Sequence, residues 1–254
     1  GWHTARRTHP SRRHAGSTGH LNLAALSPEL WASLWLTVRL AGTTTLILLA
    51  LGLPLSGWLN RSRSAAAPLV EALVTLPIVL PPTVIGFYVL LALGSHSPIG
   101  RAWLALFGSP LAFSFPGLVA GSVLYSLPYA VQPMQSALRE VERGLIESAF
   151  SLGARLHQVF WRVMVPAARN GIVTGAALSF AHTMGEFGVV LMLGGNIPGV
   201  TRVASIALYD ETQKLNYSVA HTYALVLLLS SLAMLLFIAW LRQRTPAAPR
   251  PQPR

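Results

Sequence analysis

The chain has 254 residues, 52% of them hydrophobic and only 11% charged, against about 25% charged in an ordinary soluble domain. The formal net charge of +11 would point to nucleic acid in a soluble protein. Here the basic residues lie between long apolar runs, where membrane topology and anionic lipid account for them, so no nucleic-acid partner is expected. Cysteine is absent, which excludes disulfides, thiolate zinc sites and cysteine nucleophiles.

Residues 1–28 begin with Gly rather than Met and are rich in Arg, His, Ser and Thr over their first twenty positions. They cannot build a core and lack the apolar segment of a signal peptide. They are expected to be a disordered or non-native basic tail, followed by a membrane domain over 29–242. Charge-free stretches divide that domain at 40–60, 72–100, 102–138 and 215–241, and 170–201 carries one charge, Glu186. A membrane-crossing helix needs about 20 mostly apolar residues. The stretches predict an all-α, polytopic bundle with spans near 33–58, 68–93, 116–138, 171–194 and 218–241.

In chain order, span one carries Arg39 near its outer end, to snorkel to the interface or to meet an anion. Span two is interrupted by Pro77, Pro81 and Pro82. A short amphipathic or re-entrant segment follows over 101–115. Span three is interrupted by Pro128 and Pro133. Broken helices at membrane depth often frame a transport path, so Pro81 and Pro82 are candidates for it. Span four supplies Ser179 and Thr183 as hydroxyl donors to that path. Glu186 in the same span is expected to be structural: turned away from the path, protonated, or bonded to backbone freed beside Gly185 and Gly188. His182 and His221 read as packing or interfacial residues. Asn196, Pro198 and Gly199 form a turn outside span four, with Asn196 a candidate gate residue. Residues 243–254 are a Pro-rich cytoplasmic tail.

Eleven arginines lie in the loops on one side (Arg61 and Arg63; Arg139, Arg143, Arg155, Arg162 and Arg169; Arg242, Arg244, Arg250 and Arg254). The opposite internal loops hold Arg101, Arg202 and Lys214. The first side is therefore cytoplasmic and the amino terminus outside. Arg6, Arg7, Arg12 and Arg13 run against this assignment, as a non-native tail would.

Segment 147–166, ESAFSLGARLHQVFWRVMVP, lies on the cytoplasmic side. It reads as two short helices, 147–152 and 155–163, separated by Gly153, which permits a sharp reversal with positive φ. Pro166 ends the unit. The result is an elbow projecting from the membrane, with Leu156, Val159, Phe160 and Val163 as an apolar face for a groove on a soluble partner.

This segment resembles the EAA loop of binding-protein-dependent ABC importer permeases, whose pattern is Glu-Ala-Ala, three residues, Gly, nine residues, Ile, one residue, Leu-Pro. Glu147, Ala149, Gly153 and Pro166 match in place, and Ser148, Val163 and Val165 depart conservatively. Segments 76–91 (LPIVLPPTVIGFYVLL) and 182–210 (HTMGEFGVVLMLGGNIPGVTRVASIALYD) look like molybdate-type permeases, and sulfate and thiosulfate permeases are similar around GEFG. The resemblance implies an ATP-driven importer of molybdate or tungstate, or of sulfate or another oxyanion, working by alternating access in the bacterial cytoplasmic membrane. It implies a second copy of this chain, ATP-binding cassette subunits carrying ATP and Mg, and an extracytoplasmic oxyanion-binding protein. It also assigns coupling to Glu147, Ser148, Ala149, Gly153, Val163 and Pro166. No cofactor is expected on this chain. Its single lysine, Lys214, follows Gln213, so it lacks the Gly-Lys-Ser/Thr of a phosphate-binding loop. The rival reading is a structural membrane subunit without transport. An intramembrane hydrolase would need a His-Glu-x-x-His or Gly-x-Ser-x-Gly constellation, and neither occurs.

Overall fold

A computed structural model describes residues 28–243; the expected tails at 1–28 and 243–254 lie outside that range but for their inner ends. The described residues form helices α1 (Pro28–Arg61), α2 (Ala67–Val79), α3 (Pro82–Leu93), α4 (Pro98–Phe107), α5 (Phe115–Arg139) and α6 (Arg143–Ser151). They continue as α7 (Leu156–Val159), a π-turn (Phe160–Met164), α8 (Val165–Ala167), α9 (Arg169–Met184), α10 (Gly188–Gly194), α11 (Ala204–Gln213) and α12 (Tyr217–Gln243).

Helices α1, α5 and α9 pack on one another as the central triplet. The outer half of the core joins Leu36 and Leu40 of α1 to Val89 of α3, Leu118 of α5, and Val189 and Leu193 of α10. The inner half joins Leu48 and Leu53 of α1 to Met134 and Leu138 of α5, and to Val159 and Met164 from the expected elbow. Large apolar side chains are exposed on the outside, Leu46, Leu51, Val79, Leu228, Leu232 and Leu235 among them. A continuous apolar exterior of this kind is what a lipid-facing surface requires.

Helix α1 and Tyr217–Trp240 of α12 are long and apolar enough to cross a membrane, and two bent pairs pass the same test when joined. Helix α5, with 25 residues, is about 37 Å long at 1.5 Å per residue, more than the ~30 Å hydrocarbon layer. Four of the five expected spans coincide with α1, α12 and the two joined pairs; the fifth coincides with α5, which has the length but is not apolar enough to pass the same test.

The expected interruption of span two falls at Pro81 and Pro82, where α2 and α3 are bent by 118° because two successive prolines remove two ladder donors and clash with the preceding turn; Pro77 lies inside α2 and does not interrupt it. Span four, expected as one helix, is two, bent by 60° between Met184 and Gly188. The expected interruption of span three at Pro128 and Pro133 does not occur, since α5 runs through both as one helix. Pro128 and Ala130 are buried against neighbouring helices, which hold the helix together where a donor is lost. The segment expected over 101–115 overlaps α4, a short surface helix that starts earlier, at Pro98, and is closed by left-handed Gly108.

Candidate functional site

Two places combine sequence motif with unusual backbone: the elbow after α5, and the paired breaks in the second and fourth spans.

At the elbow, α6 ends at Ser151 and the chain reverses at Gly153, whose φ is +80°. The Gly153 amide donates to Phe150 O at 2.9 Å and the Ala154 amide to Ala149 O at 3.1 Å, satisfying carbonyls at the helix end. Arg155 is extended, and its amide donates to the Gln158 side chain at 2.8 Å, which opens α7. Glu147 and Ser148 are exposed, Ala149 and Val163 are half-buried against the inner core, and Pro166 is exposed within α8. Pro166 therefore does not end the helical unit; Ala168 does, just before α9.

The expected partner-facing surface is corrected as well. Val159 is fully buried, and Phe160 and Val163 pack on the inner core. A Cβ on Gly57 of α1 would collide with the Phe160 ring, so the ring sits directly against the α1 backbone. In an α-helix residues five apart point to different faces; the wider π-turn brings Val159 and Met164 round to one side, and both are buried. Of the expected face Leu156 stays exposed, and it is joined by Phe150, Leu152 and Trp161, Leu152 being 88% exposed. The elbow thus has one arm, α7, clamped to the bundle, and one arm, α6, with no buried residue. Beside it, Arg139 Nε donates to Asn60 Oδ1 at 2.8 Å, Asn60 Nδ2 to Gln135 O at 2.9 Å, and Gln135 Nε2 to Glu71 Oε1 at 3.1 Å. This network ties the cytoplasmic ends of α1, α2 and α5 together.

The two breaks touch. A Cβ on Gly188, the first residue of α10, would lie 2.7 Å from Pro82 Cβ, the first residue of α3. Beside that contact is a cavity of about 520 Å³, lined by Pro82, Thr83, Tyr125, His182, Glu186 and Phe187, with Ala181, Gly185 and Gly188. The His182 ring stacks on Tyr129, centroids 3.9 Å apart, and its Nδ1 lies 2.9 Å from Ser126 Oγ. Ser126 Oγ is also 3.0 Å from Thr183 Oγ1. Glu186 is 4% exposed. Its backbone carbonyl accepts from the Ser205 hydroxyl at 2.5 Å, while its buried carboxyl oxygens meet no partner beyond the Ser122 hydroxyl, itself otherwise unpartnered. The expectation that this carboxyl bonds to backbone at the break is therefore not met.

Of the five residues singled out for a path, Pro82 lines the cavity and Pro81 stands exposed at the break. Ser179 is buried and donates to Gly175 O and Ala176 O of its own helix, and Thr183 is buried on Ser126; neither lines the cavity. Asn196, at φ 60°, accepts from Arg202 Nε at 2.7 Å in the outer turn. Arg39 stacks over Phe115, 4.4 Å from the ring centroid. Thr83, Tyr125 and Ser126 were not among the expected residues. For Tyr125 and Ser126 a signal was present: Ser122, Tyr125, Ser126 and Tyr129 repeat at i, i+3, i+4 and i+7, a polar stripe on an apolar span.

Comparison with known proteins places this geometry. Residues 47–246 match the family described as binding-protein-dependent transport system inner membrane component. The chain is 47% identical over 199 residues, 78% of its length and 88% of the relative's, to the molybdenum transport system permease protein ModB of Azotobacter vinelandii. It is 36% identical over 185 residues, 73% of its length and 64% of the relative's, to the sulfate transport system permease protein CysT of Synechocystis. Its fold is shared with a crystal structure of a bacterial ABC transporter involved in the import of the acidic polysaccharide alginate, at a TM-score of 0.71 and 18% identity, covering 88% of this chain and 83% of that one. The chain belongs to the family of binding-protein-dependent transport system inner membrane components.

Proposed function

We propose that this chain is the membrane half-channel of an ATP-driven importer for molybdate or tungstate in the bacterial cytoplasmic membrane. The observation that carries the reading is the elbow: a rigid reversal at Gly153 that presents exposed apolar side chains on a chain otherwise built to face lipid. Two copies of the chain would line one path, each elbow seated in a groove of an ATP-binding cassette subunit, with an extracytoplasmic binding protein delivering the anion. ATP and Mg belong to the cassette subunit, because Lys214 is the only lysine here and stands in no phosphate-binding loop. The permease then contributes two conformations whose balance the partner shifts. ATP binding draws the elbows together and turns the path outward; hydrolysis returns it.

The choice of molybdate rests on the Azotobacter relative. Sulfate is the second reading, favoured by the Synechocystis relative. Proteoliposomes holding this chain, its cassette subunit and its binding protein test both. ATP-dependent uptake of molybdate that excess sulfate does not suppress supports the first reading; uptake of sulfate alone supports the second. ATP hydrolysis by the purified chain without its partner would overturn the division of labour.

A further inference from the structure

We infer that the cavity where the two broken spans meet is a transit subsite for a tetrahedral oxyanion, held by neutral hydrogen-bond donors and by no fixed positive charge. The inference rests on the importer reading and names where in the membrane its cargo pauses.

Irregular backbone at membrane depth is tolerated only against protein or a cavity. Here two spans are broken at the same level, and the breaks are in contact at Gly188 and Pro82. On the wall of the open cavity beside them, among Pro82, Ala181 and Phe187, three side chains donate without carrying charge. Thr83 offers its hydroxyl and, as a first-turn residue of α3, an amide without an intrahelical acceptor. Tyr125 offers a phenol, and His182 an imidazole positioned through Nδ1 by Ser126. A second observation is independent of the helix start. Glu186 is buried and lines the same cavity, and beyond the Ser122 hydroxyl its carboxyl oxygens have no partner. A buried carboxyl met by one hydroxyl keeps unused hydrogen-bonding capacity, which a passing ligand can take up.

A carboxylate in an anion site raises an evident objection. None of the lining residues is Arg or Lys, so an ionised Glu186 would be an unpaired buried charge, the form such a site disfavours. In its acid form the same group is a donor, and an O–H directed at an oxyanion is attractive where O⁻ would be repulsive. Donors of this kind hold a dianion weakly, which suits a site that must release it inward.

The chain contains no cysteine, so an introduced thiol is unique. Thr83→Cys and Ala181→Cys, both on the cavity wall, would be placed separately in the complex with the cassette subunit, with Val200→Cys in the exposed outer loop as a reference. Each is reacted with a small anionic thiosulfonate, with and without saturating molybdate, against chloride at equal ionic strength. Molybdate should slow labelling at position 83 or 181 by about tenfold, the effect of roughly 90% occupancy, and leave position 200 unchanged. Glu186→Gln, which keeps a donor, should preserve protection; Glu186→Leu, which removes it, should weaken protection. Labelling indifferent to molybdate at both wall positions, while the unsubstituted complex takes up molybdate, overturns the subsite and leaves the importer reading standing. Equal loss of protection in Glu186→Gln and Glu186→Leu overturns the neutral-donor assignment. Absence of both molybdate and sulfate uptake by the unsubstituted complex removes the importer reading and the subsite together.

Discussion

Gly153 is the position at which a single atom should separate coupling from folding. A Cβ there would meet nothing within 4 Å, so substitution causes no clash. What it meets is the backbone: φ is +80°, and an L-residue pays about 1–2 kcal/mol in that region, a β-branched one more. The strain is relieved by opening the bend. Val159 and Met164 anchor the arm after the bend in the core, whereas α6 has no fully buried residue and touches the core only through half-buried Ile146 and Ala149. The arm that swings is therefore α6, with Glu147 and Phe150 on it. If only the bent form docks, about 1–2 kcal/mol lowers its population, and hence the affinity for the cassette subunit, by a factor of about 5–30. Gly153→Ala should fall at the low end and Gly153→Val at or beyond the high end, with Gly153→Asn mildest, since Asn tolerates left-handed backbone. Cassette-subunit binding to detergent-solubilised chain, measured by titration, reads the factor directly, and the amount of chain in the membrane should not change. Parent-like binding by both Gly153→Ala and Gly153→Val would refute the reasoning.

The remaining predictions concern the clamp, the cavity, the outer loop and the topology. Phe160→Ala removes a half-buried ring from its seat on Gly57 and should lower stability by about 2 kcal/mol, about half the cost of truncating a fully buried Phe; thermal unfolding measures it, and ATP turnover should continue with reduced uptake. Glu186→Gln should retain most uptake, because a fixed negative charge about 4 Å from an anionic cargo would repel each unit charge by about 4 kcal/mol at an effective dielectric near 20; loss of uptake with normal assembly would show that the charge is required. Hydrogen bonds to Asp210 and Glu211 hold the Lys214 ammonium above its ordinary range. Its contribution to the outer loop is thus fully present below the ordinary lysine pKa and lost only as pH rises through the raised value, so melting curves should show no Lys214-dependent step across neutral pH, with Lys214→Gln as the control. Ser148→Cys should resist impermeant thiol reagents applied outside intact cells, and efficient labelling there would invert the membrane orientation.

The spans were legible because charge is so costly in hydrocarbon that a charge-free apolar run of about 20 residues or more marks a lipid-crossing helix. Their interiors were less so. The double proline at Pro81–Pro82 announced its break, but Pro128 and Pro133 announced breaks that α5 does not have. A proline removes one donor; whether the helix then parts depends on the packing around it, which a single sequence does not carry. The break at Gly185–Phe187 was hidden for the opposite reason, since glycine permits a bend without demanding one. At the elbow, the periodicity of Leu156, Val159, Phe160 and Val163 identified an apolar face correctly but not what covers it. The chain itself covers most of it, through α1 and α5. The cavity was hard to read because most of its wall is span four at the unannounced break, Ala181 to Gly188, to which α5 adds Tyr125.

Under the importer reading, the packing also fixes which parts can move against which. The α7 arm joins the central triplet through Val159, Met164 and the Phe160 contact with Gly57, so a pull on the elbow is a pull on α1, α5 and α9. Beyond the breaks, α3 and α10 approach each other as closely as α1 and the elbow do: a Cβ on Gly86 would lie 2.9 Å from Met192 Cβ and 3.2 Å from Val189 Cα. Interfaces packed this tightly translate as units and do not deform smoothly. The compliant points are then the two irregular stretches, Leu80–Pro81 and Gly185–Phe187, where helical hydrogen bonding lapses. Gly185–Phe187 lines the cavity, and Leu80–Pro81 immediately precedes Pro82 and Thr83 on its wall. A displacement begun at the elbow is absorbed at the place where an anion would rest, which couples access to that site with docking at the cytoplasmic face without any nucleotide chemistry on this chain.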